Sequence, residues 1–527
     1  MNIGIRGLDN LTNRNKLKKC TLGQSLSIWA EEYGESIAIV DNTEITYREF
    51  DMYVTKLANI FIEHGINKSD RIIVQLPNGA FCIITCFALF RIGAVPILAI
   101  PGLRQKEIQN IVEFAVPEAY ITTDTYLGFN YEKMANIIGK QNSFKKGIFI
   151  DRDLEYELKL RDKDEQIIEH RQVEIDETAL LILSGGTTRI PKLIPLKHSD
   201  LNTHLRLSAE RCELGRNTVF LAVLSLAHKL ALHSPGILGT FYVGGKVVIA
   251  NNENCEDVFT LINKEKVTIT STVPSLAKMW LETIENEENV DISSLEKVIC
   301  AGEILHSNTA REIMEKLDCD LIQLYGMSEG VCFTTLLNDS VDVKCSCQGK
   351  TISLKDEFRI IDEKGNDVEN GLSGELVFKG PYRFDGYFNM LEENKHIFTA
   401  DGFFHTGDKA RLSSDGNIII EGRIREQINV AGEKVMPAEI EGYLREIDGV
   451  KDAAVVGIED DLCGQRIYAF VVPQSQKIDK ILVYKQLEKM NIAKFKYPSQ
   501  IEIIDSLPHT NVGKVDKKVL KALISSK

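Results

Sequence analysis

The chain has 527 residues, 44% of them apolar and 26% charged, with a formal net charge of −14. That length exceeds one ordinary hydrophobic core, so two or more domains are expected, and the acidic balance argues against a nucleic-acid binder, which needs a basic face. Eleven cysteines are scattered without CxxC spacing, which predicts reduced, mostly buried thiols in a cytoplasmic protein and no zinc site.

The first twenty residues carry basic side chains but no apolar centre, so no signal peptide is expected. Apolar spacing predicts a helix over 26–33 and another after 45–50, with a core strand over 71–75. The apolar stretch 81–100 contains Arg91, Gly93 and Pro96. It reads as a buried helix, a turn and a strand, and no membrane span is expected. Further strands at 120–123 and 147–150 continue an alternation that predicts an α/β sheet. The charge-rich stretch 151–170 predicts a solvated connection or surface helix.

The run ALLIL at 179–183 predicts a buried strand. It feeds SGGTTRIPK at 184–192. Gly185 and Gly186 allow a tight turn and close backbone approach. Ser184, Thr187, Thr188 and Lys192 add the hydroxyls and the cation that a polyphosphate needs. A helix over 199–212 follows, then strands at 219–224, 246–250, 268–272, 297–300 and 321–324. Polar clusters sit after four strand ends, at 184–192, 225–228, 301–303 and 325–329. Open α/β sheets bind ligands beyond the carboxyl ends of their strands, so one site is expected there. From 374 short strands and turns predict an antiparallel, barrel-like part. Residues 425–527 carry their own helix (438–447) and strands (453–457, 467–472), which suits a separate domain.

Five motifs in order, SGGTTRIPK, YGMSE, HTGD, EGRIREQINVAGEKVMPAEIE and NVGKVDKK, resemble the adenylate-forming superfamily over nearly the whole chain. Within it the chain is most similar to stand-alone aryl-acid–AMP ligases of the 2,3-dihydroxybenzoate type. The resemblance implies a large domain over 1–424, with two α/β sheet subdomains and a β-barrel-like part. It implies a small mobile α+β domain over 425–527. It implies ATP and Mg2+, attack of a carboxylate on the α-phosphorus, loss of pyrophosphate and transfer of the acyl group to a thiol. Ser184–Lys192 should wrap phosphates, Tyr325 and Gly326 lie by the adenine, Ser328 contact the α-phosphate and Glu329 hold Mg2+. Asp408 should accept from the ribose hydroxyls, and Arg423 reach ribose or phosphate. Lys514 should bridge carboxylate and phosphate, as a point charge on a flexible stem can. Arg425 takes the hinge position, and the loop holding Gly432 and Lys434 replaces Lys514 for thiol transfer.

The same resemblance places His228 beside the carboxylate and Lys229, Ser234, Ala301, Gly302 and Val331 around the acyl group, with Cys300 and Cys332 as further walls. Lys229 departs from the dihydroxybenzoate pattern, which has Asn. A buried lysine pairs with an anion or loses its proton. Either the substrate carries an extra acidic or accepting group, or Lys229 pairs with a protein carboxylate such as Glu303. Leu230 replaces an aromatic residue and would widen the pocket. The chain ends soon after Lys514, so the acceptor is expected to be a separate carrier-protein phosphopantetheine. The alternatives are free coenzyme A and a non-catalytic nucleotide-binding relative.

Overall fold

Helix Ala80–Ile92 has a sequence (AFCIITCFALFRI) that is apolar on every face. Such a helix is stable only where it is covered all round. It lies between two sheets, with Phe87 and Phe90 in one core shared by Val74 and Leu98 of the first sheet and Ile39 and Phe220 of the second. The computed structural model describes residues 17, 19–142, 144–162, 166–167, 172–184, 192–287, 290–430, 433–460, 464–474, 478–490, 496–510 and 513–525.

The first sheet has six strands, in the order Leu193–Lys197, Thr178–Leu183, Val95–Leu98, Arg71–Gln75, Ala119–Thr122, Gly147–Ile150. All pairs are parallel except the first. The second has nine, in the order Lys350–Thr351, Val331–Thr334, Asp320–Met327, Lys297–Ala301, Ile269–Thr272, Val219–Ala222, Lys246–Ile249, Ile37–Asp41, Thr43–Thr46. Its middle is parallel, and antiparallel pairs close both ends. Buried on both faces, the central strands read as continuous apolar runs. The barrel-like part is a four-stranded antiparallel sheet of Glu357–Ile361, Gly374–Lys379, Phe404–Leu412 and Ile418–Arg423.

The last hundred residues build a five-stranded sheet of Glu433–Val435, Ile428–Val430, Gly464–Pro473, Val450–Asp460 and Gln500–Ile503. Helices Pro437–Arg445 and Lys480–Lys489 cover one face with Ile440, Leu444, Val483 and Leu487. Helix Lys517–Ser525 covers the other through Leu520. The fold class is therefore α/β, with a large N-terminal part and a small α+β C-terminal one.

Two elements differ from expectation, and a third had no expectation set for it. The first helix spans Leu22–Tyr33, four residues earlier, because Thr21 and Gln24 cap it reciprocally. The strand expected at 321–324 runs on as Asp320–Met327, because Tyr325–Met327 pair with Val331–Phe333. The stretch after the glycine loop is a strand, Leu193–Lys197, whose Pro195 is tolerated because the strand is at the sheet edge. Among the described residues all ten cysteines are free, no cluster of three metal-ligating side chains occurs, and no helix is long and apolar enough to cross a membrane.

Candidate active site

The glycine loop joins the two strands of a hairpin. Leu183 lies opposite Leu193, and Ser184 donates its N–H to the Lys192 carbonyl at 2.9 Å. The ends of the loop are thereby held together; Gly185, Gly186, Thr187 and Thr188 lie outside the described residues. Lys192 Nζ stands 4.7 Å above the ring centre of Tyr387, within cation–π range.

Ser328 and Glu329 occupy the turn of a second hairpin, between Asp320–Met327 and Val331–Thr334. Gly330 closes that turn, donating to the Met327 carbonyl at 3.1 Å. Its φ is +102°, and a Cβ there would lie 2.4 Å from the Tyr382 carbonyl, so only glycine fits. Glu329 is buried at 6% exposure. Its Oε1 accepts the Tyr387 hydroxyl at 2.9 Å, and its carbonyl accepts the Phe384 N–H at 3.0 Å. Ser328 is half-buried and Gly326 exposed at the mouth of the hairpin.

Asp408 is 3% exposed. Its Oδ2 accepts the Tyr325 hydroxyl at 2.6 Å, and its Oδ1 pairs with Arg423 Nε at 2.9 Å. Strand register sets that pair, since Asp408 lies directly opposite Arg423. Burial raises the Asp408 pKa, while Arg423 and Tyr325 oppose the rise.

Lys514 comes from the far end of the chain. Thr510 donates its N–H to the Lys514 carbonyl at 2.7 Å, and Gly513, at φ +78°, completes the tight loop. A Cβ at Gly513 would lie 3.7 Å from Ser275 Oγ at the start of helix Pro274–Asn286, so the loop is seated on the main body. The Lys514 side chain is exposed to solvent. Crowding by protein lowers its pKa; Arg423 adds to the lowering, and Glu303 and Asp408 oppose it. His228 lies near it: burial, assisted by Lys514, holds its imidazole down to about 4, so it is neutral at pH 7. Two ion pairs span the two parts, Lys278–Asp452 at 3.4 Å and Lys451–Glu282 at 3.0 Å.

Arg425 lies exposed in the 3-10 turn Ile424–Glu426. Lys434 lies in strand Glu433–Val435, and Gly432 is outside the described residues. Ala301 and Val331 are buried and Gly302, at φ +96°, is exposed at its strand end. Cys300 and Cys332 are buried, and Ser234 is fully buried. Lys229 does not pair with Glu303. Its Nζ donates to the main-chain carbonyls of Met327 at 2.6 Å and Val331 at 3.0 Å. Main-chain oxygens are within reach of its long stem, whereas Glu303 feels the charges of Lys514, Arg445 and His509. Tyr387 and Tyr382 are contacts that no motif announced.

The AMP-binding enzyme profile matches residues 26–388, and the AMP-binding enzyme C-terminal domain profile matches 439–514. The chain belongs to the AMP-binding enzyme family. It is 40% identical to the 2,3-dihydroxybenzoate-AMP ligase of Bacillus subtilis (strain 168), over 96% of this chain and 94% of that one. It is 36% identical to the 2-hydroxy-7-methoxy-5-methyl-1-naphthoate–CoA ligase of Streptomyces carzinostaticus, over 95% and 93%. Among solved structures it resembles apo MbtA of Mycobacterium smegmatis, with a TM-score of 0.73, 32% identity and coverage of 95% and 94%. The expected superfamily, its aryl-acid–AMP ligase branch and an AMP-forming ligase activity that consumes ATP are therefore borne out.

Proposed function

We propose that this AMP-forming ligase activates an aryl carboxylic acid as its acyl-adenylate and passes the acyl group to the phosphopantetheine thiol of a separate carrier protein. The observation that supports this most is that Lys514 is close enough to His228, Asp408 and Arg423 to act on their charges, while Asp408 and Arg423 form an ion pair. A carboxylate approaching a phosphate puts two anions together, so donors and cations fixed in advance are what the step requires. Lys514 bridges the acid carboxylate and the α-phosphate. His228, neutral and next to Lys229 in the acid-binding loop, lies along the carboxylate without adding charge. Ser328 donates to the α-phosphate, and Lys192 with Gly185, Gly186, Thr187 and Thr188 binds the outer phosphates. Asp408 takes the ribose hydroxyls, Arg423 opposes protonation of that carboxylate, and Tyr325 with Gly326 walls the adenine.

The chemistry of the turn suits Mg2+. Glu329 offers a buried carboxylate with one oxygen tied to Tyr387, and Mg2+ commonly takes one or two carboxylates together with phosphate oxygens and water. When bound it offsets phosphate charge. The small domain is proposed to start at Arg425 and to turn there, so that the loop with Gly432 and Lys434 replaces Lys514 for thiol transfer.

A coenzyme A acceptor is the second reading, favoured by the CoA ligase among the relatives. ATP–pyrophosphate exchange with a panel of benzoates, followed by AMP release with a carrier protein or with coenzyme A, tests both. Exchange without any aryl acid preference would contradict the proposal.

A further inference from the structure

Strand Gly374–Lys379 runs antiparallel to strand Phe404–Leu412, and the register slips between them. Glu375 lies opposite Lys409 and Val377 opposite His405, so Thr406, Gly407 and Asp408 stand against Leu376 alone. Such a bulge leaves its extra residues without ladder partners on that side, and bulges beside active sites re-aim side chains. This one presents Asp408 to Tyr325 and Arg423. Gly407 takes φ +67°, and a Cβ there would meet nothing within 4 Å. Glycine serves the backbone conformation at that point, not a close approach.

Side chains replace the missing ladder bonds. Glu375 Oε1 accepts the Gly407 N–H at 3.1 Å, and Oε2 lies 3.0 Å from His405 Nδ1. The Thr406 hydroxyl oxygen accepts the Asp408 N–H at 3.1 Å, and the same hydroxyl donates to the Leu376 carbonyl at 2.7 Å. Arg423 Nη1 donates to the Thr406 carbonyl at 3.3 Å. One partly buried carboxylate thus holds the residues on both sides of Thr406. Glu375 itself is in register with Lys409, so the sheet anchors it. Without an acceptor from Glu375 the Gly407 N–H loses its partner, which is costly, and the bulge is free to shift. A carboxylate that must meet two ribose hydroxyls tolerates little displacement.

We infer that Glu375 is a positioning residue for nucleotide recognition: it props the bulge that aims Asp408 at the ribose hydroxyls. This rests on the ribose role proposed above for Asp408. Glu375 acts through Asp408 and leaves the phosphate chemistry to Lys514.

The test is kcat/KM for pyrophosphate exchange with ATP, 2′-deoxyATP and 3′-deoxyATP, in the wild-type enzyme, Glu375→Ala, Glu375→Met and Glu375→Gln. The wild-type enzyme should prefer ATP by about tenfold or more, the size of one hydrogen bond to a charged group. Glu375→Ala and Glu375→Met remove both acceptors and should cut that preference severalfold, through KM for ATP more than through kcat. Glu375→Gln can set its amide oxygen on the Gly407 N–H and its nitrogen on an unprotonated His405 Nδ1, so it should keep most of the preference. A mere loss of folded enzyme lowers all three nucleotides alike and leaves the ratio untouched. An intact preference in Glu375→Ala and Glu375→Met would overturn the inference, as would an equal collapse in Glu375→Gln. Failure of both Glu375→Ala and Glu375→Met to fold would make Glu375 a framework residue and overturn it too. A wild-type enzyme indifferent to the ribose hydroxyls would overturn the role of Asp408 itself and the inference with it.

Discussion

Tyr387 donates its hydroxyl to Glu329 at 2.9 Å. The same ring carries Lys192 at 4.7 Å. One tyrosine thus ties the end of the glycine loop to the acidic turn, two segments more than a hundred residues apart in sequence. Tyr387→Phe keeps the ring under Lys192 and removes only the hydroxyl. A hydrogen bond to a carboxylate contributes about 1.5–3 kcal/mol, so the fold should lose stability by up to that amount and still form. The Mg2+ concentration for half-maximal exchange should rise several-fold. An unchanged Mg2+ dependence would remove Tyr387 from the positioning of Glu329.

Asp408 has both oxygens engaged, one by Tyr325 and one by Arg423. Asp408→Asn removes the charge that Arg423 faces and makes one oxygen a donor. Breaking a buried ion pair costs about 3–5 kcal/mol; Arg423 is 38% exposed, so the stability loss should stay below that range. Nucleotide affinity, measured by calorimetry with ATP, should fall more than tenfold. Retained affinity would show that Asp408 is a framework residue only.

The contacts between helix Pro274–Asn286 and strand Val450–Asp460 hold Lys514 near His228 and Asp408. Lys451 and Glu282 are half-exposed at 51% and 50%, and such pairs contribute up to about 1 kcal/mol. Lys451→Glu should therefore slow exchange only several-fold, at low salt, with the deficit vanishing as salt screens it. Thiol transfer from preformed acyl-adenylate should not slow. A salt-independent loss would point to misfolding instead.

Acid should destabilise the fold. His198 and His228 are held down to about 4 by burial, and His204 and His233 are lowered for the same reason. His198 Nδ1 accepts the Leu22 N–H at 3.2 Å and must be unprotonated to do so. Between about pH 6.5 and 4 the unfolded chain binds protons that these four histidines refuse, so stability falls as pH falls. Asp200 and Asp356, raised to about 6 by burial, act in the opposite sense from about pH 6 down to 4. Asp151, Glu155, Glu253, Glu303 and Asp408 are raised by burial as well and add to that opposition, but the histidines' window opens first, near pH 6.5. The melting temperature should drop from pH 7.5 to 5.5; a rising profile would contradict the assignment of these histidines as buried and neutral.

The motifs proposed to build the site were legible because they are short and local. The glycine loop, YGMSE, HTGD and the terminal lysine stretch each occupy only a few consecutive residues, and their order carried the superfamily. The helix start at Leu22 was also written in the sequence, as the Thr21–Gln24 cap, but its first turn is polar and gives no apolar rhythm. The strand Leu193–Lys197 was hidden by Pro195, which argues against a strand unless the edge position is known. Tyr387 and the partners of Lys229 were not legible for a deeper reason. One bridges elements distant along the chain, and the other bonds to main-chain oxygens, which every residue has and no motif marks.

The account turns on Lys514 acting on nucleotide held by the main body. The most direct measurement is ATP–pyrophosphate exchange by Lys514→Ala, alongside thiol transfer from acyl-adenylate supplied ready-made. Exchange should fall by at least ~10²-fold, the loss expected for one charge-stabilising contact, while transfer persists. Exchange at the wild-type rate would contradict the account.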